Sequence, residues 1–236
     1  MQEPFISVII PAYNESRVIL KTLTKVSSFL TEKNLNFEIL VVDDGSKDNT
    51  ATIVESVGKN IRLISQIKNQ GKGAAVRRGM LEAIGSIRIF TDADLSTPVY
   101  EIENVIEKLN SGYDVFIGSR ALDSKRIKEH QPFYREMMGK TFNKIVQLFV
   151  FNGISDTQCG FKGFNDKSAN KIFSIAKIDG FGFDVEILYL AKRFGLSIIE
   201  HPVDWFNDAR STVNPITDSI NMIIEILKIK KIHKNL

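Results

Sequence analysis

The sequence RIFTDADLSTP, residues 88–98, places two carboxylates, Asp92 and Asp94, one residue apart directly after an apolar run. In a strand, side chains two positions apart share a face, so both acids would point the same way. Two like charges at this spacing disfavour each other unless a cation or hydrogen-bond donors compensate them. The pair therefore belongs either to a site that holds a cation or to an acidic turn that caps a helix near Pro98. The surrounding sequence has to decide between the two.

Apolar strand patterns alternate with helical patterns through the first half of the chain. Strands are predicted at 5–10, 37–42, 61–65, 87–91 and 113–118, with helical patterns at 16–30, just after Asp48, at 71–85 and at 99–112. The second half shows helical patterns at 133–151, 182–195 and 218–234, a strand at 197–205, and a loop at 152–164. Continuous apolar strands separated by helices predict an α/β fold, with a mainly parallel central sheet and helices on both faces.

Composition narrows the class of protein. The 236 residues are 43% hydrophobic, which favours one large globular domain. The net charge of +3 gives no indication of a nucleic-acid-binding surface. Cys159 is the single cysteine, which excludes an internal disulfide and fits a reducing cytosol. The first residues lack a signal-peptide layout, and no apolar stretch reaches the roughly 20 residues of a membrane span. We therefore expect a cytoplasmic protein, either soluble or peripheral to a membrane.

Polar and glycine-rich loops follow four consecutive predicted strands. They are PAYNES (11–16), DDGSKDNT (43–50), NQGKG (69–73) and DADLS (92–96). In open parallel sheets ligands bind where such loops converge, at the carboxyl ends of the strands. Neither the spacing of a P-loop nor the glycine fingerprint of a dinucleotide site is present. Acids and glycines at one edge indicate a polar, anionic ligand held through a metal ion.

The motifs SVIIPAYNE, ILVVDDGSKDNT, NQGKGAAVRRG, FTDADLSTP, GSR and SDTQCGFKGF occur in this order. Together they resemble the inverting family 2 glycosyltransferases, which have the GT-A type nucleotide-sugar-binding fold. The likeness is strongest to the polyprenyl-phosphate branch, above all the dolichyl-phosphate β-glucosyltransferases. It extends from residue 5 to about 215 and implies a GT-A domain over 1–215. The remaining residues, 216–236, form a predicted amphipathic and basic helix that could lie on a membrane.

The resemblance also implies a set of donor-site residues. Those expected to border the nucleotide are Pro11, Tyr13, Asn14, Glu15, Asp43, Asp44, Gly71, Lys72 and Gly73. Asp92 and Asp94 match the Asp-x-Asp pair that holds the donor diphosphate through Mg²⁺ or Mn²⁺. Near the end of the chain, Ser211 aligns with a phosphate-binding motif of the branch, and Arg210 would supply the cation that this motif carries elsewhere.

Two acceptor chemistries remain open. A hydroxyl acceptor requires a carboxylate base. A lipid phosphate is already ionised near neutral pH, since its second pKa is about 6, and it requires cations instead. Arg120 in GSR would be such a cation, whereas Asp156 would act as a base or, as we favour, would orient its loop. Asp184 and Glu186 fall where other branches keep a catalytic acid. They are two positions apart on a predicted helix and therefore lie on different faces, so they cannot act as a same-face pair.

We therefore expect a metal-dependent enzyme that transfers glucose from UDP-glucose to polyprenyl or dolichyl phosphate with inversion, on the cytoplasmic face of a membrane. The apolar helix at 136–151 and the terminal helix would contact that membrane, unless they pack in the core or in a homodimer. Alternatives are mannosyl transfer from GDP-mannose to dolichyl phosphate, transfer to a saccharide hydroxyl, and a catalytically silent nucleotide-sugar-binding module. The intact Asp92 and Asp94 argue against a silent module.

Overall fold

The computed structural model describes residues 5–58, 60–208 and 217–236. Its strands are β1 (Ile6–Ala12), β2 (Phe37–Asp43), β3 (Ile61–Ser65), β4 (Ile87–Thr91), β5 (Val115–Ser119), β6 (Ile127–Glu129), β7 (Phe161–Asn165), β8 (Ile198–Pro202) and β9 (Trp205–Phe206). Seven of them form the central sheet in the order β3-β2-β1-β4-β7-β5-β8, and β6 pairs with β9. All neighbours in the central sheet are parallel except β7.

Helices cover both faces of this sheet. They are α1 (Ile19–Glu32), α2 (Thr50–Glu55), α3 (Lys72–Glu82), α4 (Ile102–Asn110), α5 (Phe133–Phe149), α6 (Asp166–Phe173), α7 (Phe183–Arg193) and α8 (Thr217–Ile232). Successive side chains of a strand point to opposite faces, so Val8 and Ile10 pack in the core with α1, α2 and α4. Ile9 packs in the second core, which contains the buried residues of α3 and of α5 to α8. The predicted arrangement of a mainly parallel sheet between two helical layers is confirmed.

The loop predicted over 152–164 is wrong at its end, because residues 161–164 belong to β7. This strand lies between β4 and β5 and is antiparallel to both of them. A lysine in the middle of a short, glycine-containing segment reads as a loop, yet Lys162 is 0% exposed here. The strand predicted over 197–205 is also two strands, β8 and β9, and the short strand β6 is not predicted at all.

Lys162 is compensated by a buried acid from the neighbouring helix. Its Nζ lies 2.5 Å from Oδ1 of Asp184 at the start of α7, and it donates to the carbonyl oxygen of Cys159 at 2.7 Å. The ammonium also lies 5.4 Å from the centre of the Phe90 ring. A buried lysine needs such partners, because burial without them strongly disfavours its charged form. The ion pair therefore ties β7, α7 and the segment before β7 together.

The C-terminal helix α8 is part of the second core rather than a detached segment. Met222, Ile226 and Ile229 are buried in that core, whereas Ile224 and Leu227 are exposed on the opposite side. Among the described residues, no helix combines the length and the apolar character that crossing a membrane requires.

Replacing Lys162 with Met tests whether the buried pair supports β7. The variant leaves Asp184 buried without its partner, and breaking a buried pair in this way costs about 3–5 kcal/mol of the free energy of unfolding. Urea unfolding at neutral pH measures the loss. The matched control is Lys167→Met, which makes the same change at an exposed position of α6. The double variant Lys162→Met/Asp184→Leu should recover most of the stability, and a single variant as stable as wild type would contradict this role.

Candidate active site

The loops of the candidate site converge on one edge of the sheet. Parallel strands share their carboxyl-terminal edge, so the residues that follow β1, β2, β4 and β5 lie along it. Strand β7 runs the other way, and its first residue, Phe161, pairs with the last residue of β4, Thr91. The segment that precedes β7 therefore arrives at the same edge, beside the acidic pair.

The loops after β1 and β2 are joined by hydrogen bonds. Asn14 has a φ of 59°, its backbone N donates to Ser46 Oγ at 2.8 Å, and its Oδ1 accepts from the Lys47 backbone N at 2.8 Å. Asp48 accepts from the backbone N of Ser16 at 3.1 Å and of Thr50, the first residue of α2, at 3.0 Å. Burial would raise the pKa of Asp48, but the hydrogen bonds from Thr50 and Ser16 lower it to about 2. Asp48 therefore connects the loop after β1 to the first residue of α2.

The remaining residues predicted for this loop lie around that network. The Glu15 backbone N donates to Thr50 Oγ1 at 2.8 Å, and Pro11 belongs to β1. The side chain of Tyr13 stays 40% exposed. The two connected loops therefore form a fixed wall that presents an aromatic ring to solvent.

The two acids at the end of β2 mainly organise the backbone around them. Asp44 accepts from the backbone N of Gln70 at 2.7 Å and of Gly71 at 2.8 Å, so it holds the turn that precedes α3. Burial raises the pKa of Asp44. Asp43 accepts from the Ser46 backbone N at 3.3 Å.

The turn at 71–73 packs so closely against neighbouring backbone that both of its ends must be glycine. Gly71 has a φ of +110°, in the region that favours glycine. A Cβ at Gly71 would overlap the carbonyl oxygen of Asp179, and one at Gly73 would overlap the carbonyl oxygen of Ile178. The turn therefore lies directly against the segment that contains these two residues.

The acidic pair after β4 is asymmetric. Asp92 Oδ1 lies 2.5 Å from Lys72 Nζ, whereas Asp94 accepts from the backbone N of Ser96 at 2.8 Å. Among the described residues, no basic side chain forms an ion pair with Asp94. Burial, and next the charge of Asp92, raise the pKa of Asp94. Gly160 packs directly against the Asp92 carboxylate, and a Cβ at position 160 would overlap it unless the carboxylate moved.

A small cavity opens on the Asp94 side of the pair. Its lining consists of Asp94, Leu95, Ser96, Phe206, Asn207 and Asp208. Within residues 5–58, 60–208 and 217–236, no group of three His, Cys, Asp or Glu side chains is arranged to hold a metal ion. The protein thus offers Asp94 at an open space, with Asp92 two positions before it in the chain.

Arg120 and Asp156, which the motifs suggest for different roles, form one ion pair. The guanidinium Nε and Nη2 lie 2.6 and 2.9 Å from the two carboxylate oxygens, and the Arg120 backbone N also donates at 3.0 Å. Burial would raise the pKa of Asp156, which is 7% exposed, but the charge and hydrogen bonds of Arg120 lower it to about 2. The guanidinium lies 5.5 Å from the ring centre of Trp205. Asp156 is therefore a fixed carboxylate that orients Arg120 and has little basicity.

The structure separates Asp184 from Glu186, as their helical spacing predicts. Asp184 contacts Lys162, whereas Glu186 accepts from the backbone N of Lys177 and Ile178 at 2.9 Å.

Cys159 is buried, and burial raises the pKa of its thiol to about 11. Arg210 and Ser211 lie outside the described residues.

Three residues that shape the candidate site are absent from the residues predicted from the sequence. Lys162 is hidden in a segment that reads as a loop, Gly160 acts only through close packing, and Trp205 contributes only its position next to Arg120. The closely spaced glycines of SDTQCGFKGF are the sequence feature that could have indicated the close packing at this segment, since glycine inside a strand often marks the close approach of another group.

Comparison with known proteins identifies the family. Residues 7–173 match Glycosyl transferase family 2. The chain is 38% identical over 244 residues to the dolichyl-phosphate beta-glucosyltransferase of Dictyostelium discoideum, with 96% of this chain and 74% of that protein covered. The corresponding protein of Saccharomyces cerevisiae is 37% identical over 250 residues, with 97% and 75% covered.

A solved structure shows the same fold. It is glucosyl-3-phosphoglycerate synthase from Mycobacterium tuberculosis in complex with Mn²⁺, uridine diphosphate and glucosyl-3-phosphoglycerate. The TM-score is 0.69 at 19% sequence identity, and 96% of this chain and 80% of that chain are covered. This likeness confirms the predicted GT-A type α/β fold. Together with the family match over most of the sheet and the identities above 30%, it leads to one conclusion: the chain belongs to glycosyl transferase family 2.

Proposed function

We propose that the protein transfers glucose from UDP-glucose to dolichyl phosphate, or to another polyprenyl phosphate, with inversion at the anomeric carbon. The names of the Dictyostelium and yeast relatives support this donor sugar and this acceptor. The observation that carries the proposal is the Arg120–Asp156 pair. Its carboxylate, with a pKa of about 2, is too weakly basic to deprotonate a hydroxyl, while its guanidinium suits a phosphate.

The donor nucleotide lies, in this proposal, between the wall formed by the loops after β1 and β2 and the turn at 71–73. Tyr13 and Asn14 border the base, and the backbone of the turn approaches the nucleotide closely because it carries no side chains at its ends. Asp44 supports this turn from the sheet, through its hydrogen bonds to Gln70 and Gly71. Arg210 and Ser211 are assigned to the donor phosphates on sequence resemblance.

Asp92 and Asp94 would hold Mg²⁺ or Mn²⁺ together with the donor diphosphate. A pair of carboxylates completed by substrate phosphates is the usual environment of Mg²⁺ in proteins, and it matches the two acids beside an open cavity. When bound, the ion would neutralise the charge that develops on the departing diphosphate. Lys72 holds Asp92 in place through their ion pair. Gly160 leaves room for the Asp92 carboxylate.

The acceptor side depends on Arg120. A lipid phosphate is largely ionised near neutral pH, so the site needs to attract and align an anion rather than remove a proton. Asp156 fixes the guanidinium through two hydrogen bonds, and Trp205 lies beside it. Arg120 then presents its remaining N–H groups to the acceptor, and Asp156 acts as a positioning residue.

A membrane surface would supply this acceptor. The side chains of Phe133, Tyr134 and Leu148 on α5 are exposed, and basic residues occur in the segment just before α5, at 123–130. Exposed aromatic and apolar groups beside basic groups favour the interface of an anionic membrane. We propose a peripheral position on the cytoplasmic face, with packing in a homodimer as the alternative role of these side chains.

An assay with a panel of nucleotide sugars and acceptors tests the function. UDP-glucose and a polyprenyl phosphate in anionic vesicles should give UDP and a β-linked glucosyl lipid, and the protein should sediment with those vesicles at low salt. Sedimentation should weaken as salt rises, because salt screens surface charge. Higher kcat/KM with GDP-mannose or with a saccharide acceptor would contradict the proposal, and so would the absence of turnover with every pair.

Substituting Gly160 with Ala tests the acidic pair without touching a charged residue. The new Cβ forces the Asp92 carboxylate to move, and a displacement of about 1 Å at a reacting site can lower kcat/KM by about 10²-fold. Gly139→Ala is the matched control, because a Cβ at that position of α5 meets no atom within 4 Å. Circular dichroism and urea unfolding check that both variants fold. If Gly160→Ala keeps the wild-type kcat/KM, Asp92 does not have the proposed role.

A further inference from the structure

A single segment links the C-terminal helix to the turn assigned to the donor. We name residues 177–182, between α6 and α7, the buttress loop. It packs against the turn through backbone and side chain: the Ala74 backbone N donates to the Asp179 carbonyl oxygen at 3.2 Å. The Arg77 guanidinium contacts the Asp179 carboxylate at 2.6 Å. Since Gly71 and Gly73 leave no space on this side, the buttress loop determines where the turn lies.

Carboxylates from two helices hold the buttress loop from behind. Glu186 of α7 accepts from the backbone N of Lys177 and of Ile178, each at 2.9 Å. Glu225 of α8 accepts from the backbone N of Gly182 at 2.8 Å. His233, just after α8, places its Nε2 2.6 Å from Glu186 Oε1. Acids therefore hold both ends of the buttress loop. Glu225 belongs to α8, and Glu186 contacts His233 just after α8.

The contacts that Glu186, His233 and Glu225 make around the buttress loop are buried or tightly packed. Glu186 and His233 are almost completely buried, and hydrogen bonds that involve a charged group are stronger than neutral ones. A Cβ at Gly180 or Gly182 would meet the Glu225 side chain, so the acid is in direct contact with the buttress-loop backbone. The turn is thus held between Asp44 on the sheet side and a hydrogen-bonded series that ends in α8.

We propose that Glu225, and through Glu186 also His233, are positioning residues that set the donor-binding turn for UDP-glucose. The inference rests on the proposed function, which assigns the turn at 71–73 to the nucleotide. Helix α8 thereby completes the donor site without touching the donor. Its loss should change donor affinity and leave the chemistry at saturation intact.

The test compares Glu225→Ala with Glu225→Gln, whose amide oxygen can still accept from Gly182. For Glu225→Ala we expect the Kd of UDP-glucose and its KM to rise about tenfold, equivalent to about 1.4 kcal/mol, with kcat within about twofold of wild type. Glu225→Gln should restore most of the affinity. Lys230→Ala, at an exposed position of α8, is the control for the helix itself. Calorimetry gives the Kd, and steady-state kinetics separate KM from kcat.

A second variant on the other side of the buttress loop keeps the proposal falsifiable. Arg77→Met removes the contact with Asp179 and should raise the Kd similarly, and the double variant with Glu225→Ala should be clearly less than additive. Additive effects, or an unchanged Kd in Glu225→Ala, would overturn the inference while the proposed function stands. If the wild-type protein binds no UDP-glucose, the proposed function falls and the inference falls with it.

Discussion

Strand β7 runs antiparallel to both of its neighbours, and the candidate site depends on this reversal. In a wholly parallel sheet, the segment that precedes a strand lies at the edge opposite to the loops that follow its neighbours. Because β7 is reversed, Gly160 lies against Asp92 and the Arg120–Asp156 pair shares the edge with the acidic pair. The buried ion pair of Lys162 and Asp184 supports the strand that makes this possible.

Three acids near this edge form ion pairs with basic side chains. Lys72 neutralises Asp92, Lys162 neutralises Asp184, and Arg120 neutralises Asp156. Asp94 forms no ion pair with a basic side chain within the described part of the chain, and burial, and next the charge of Asp92, raise its pKa. A carboxylate in such surroundings gains most from a cation that arrives with an anionic ligand. The same arrangement leaves Arg120 oriented by Asp156.

The sequence predicts the first five strands of the sheet and the loops after them, because continuous apolar runs separated by helical periods leave little ambiguity. It fails at β7, where a buried lysine is compensated by an acid 22 positions later. The pairing of Arg120 with Asp156 spans 36 positions, and that of Gly182 with Glu225 spans 43. Local patterns carry no information about such partners. Motif resemblance therefore predicts candidate residues for the site, whereas their hydrogen-bond and ion-pair partners become visible only in the fold.

If Asp92 and Asp94 bind the donor diphosphate through a divalent ion, as we propose, the binding of UDP-glucose depends on that ion, and calorimetric titration measures this dependence. The wild-type protein should bind UDP-glucose in the presence of Mn²⁺, and its Kd should rise at least about tenfold in excess chelator, a change of about 1.4 kcal/mol. Asp94→Asn should bind weakly under both conditions, because it has lost a charged ligand. An equal Kd with and without the ion in the wild-type protein, or full affinity in Asp94→Asn, would show that the acidic pair does not hold the donor through a metal ion.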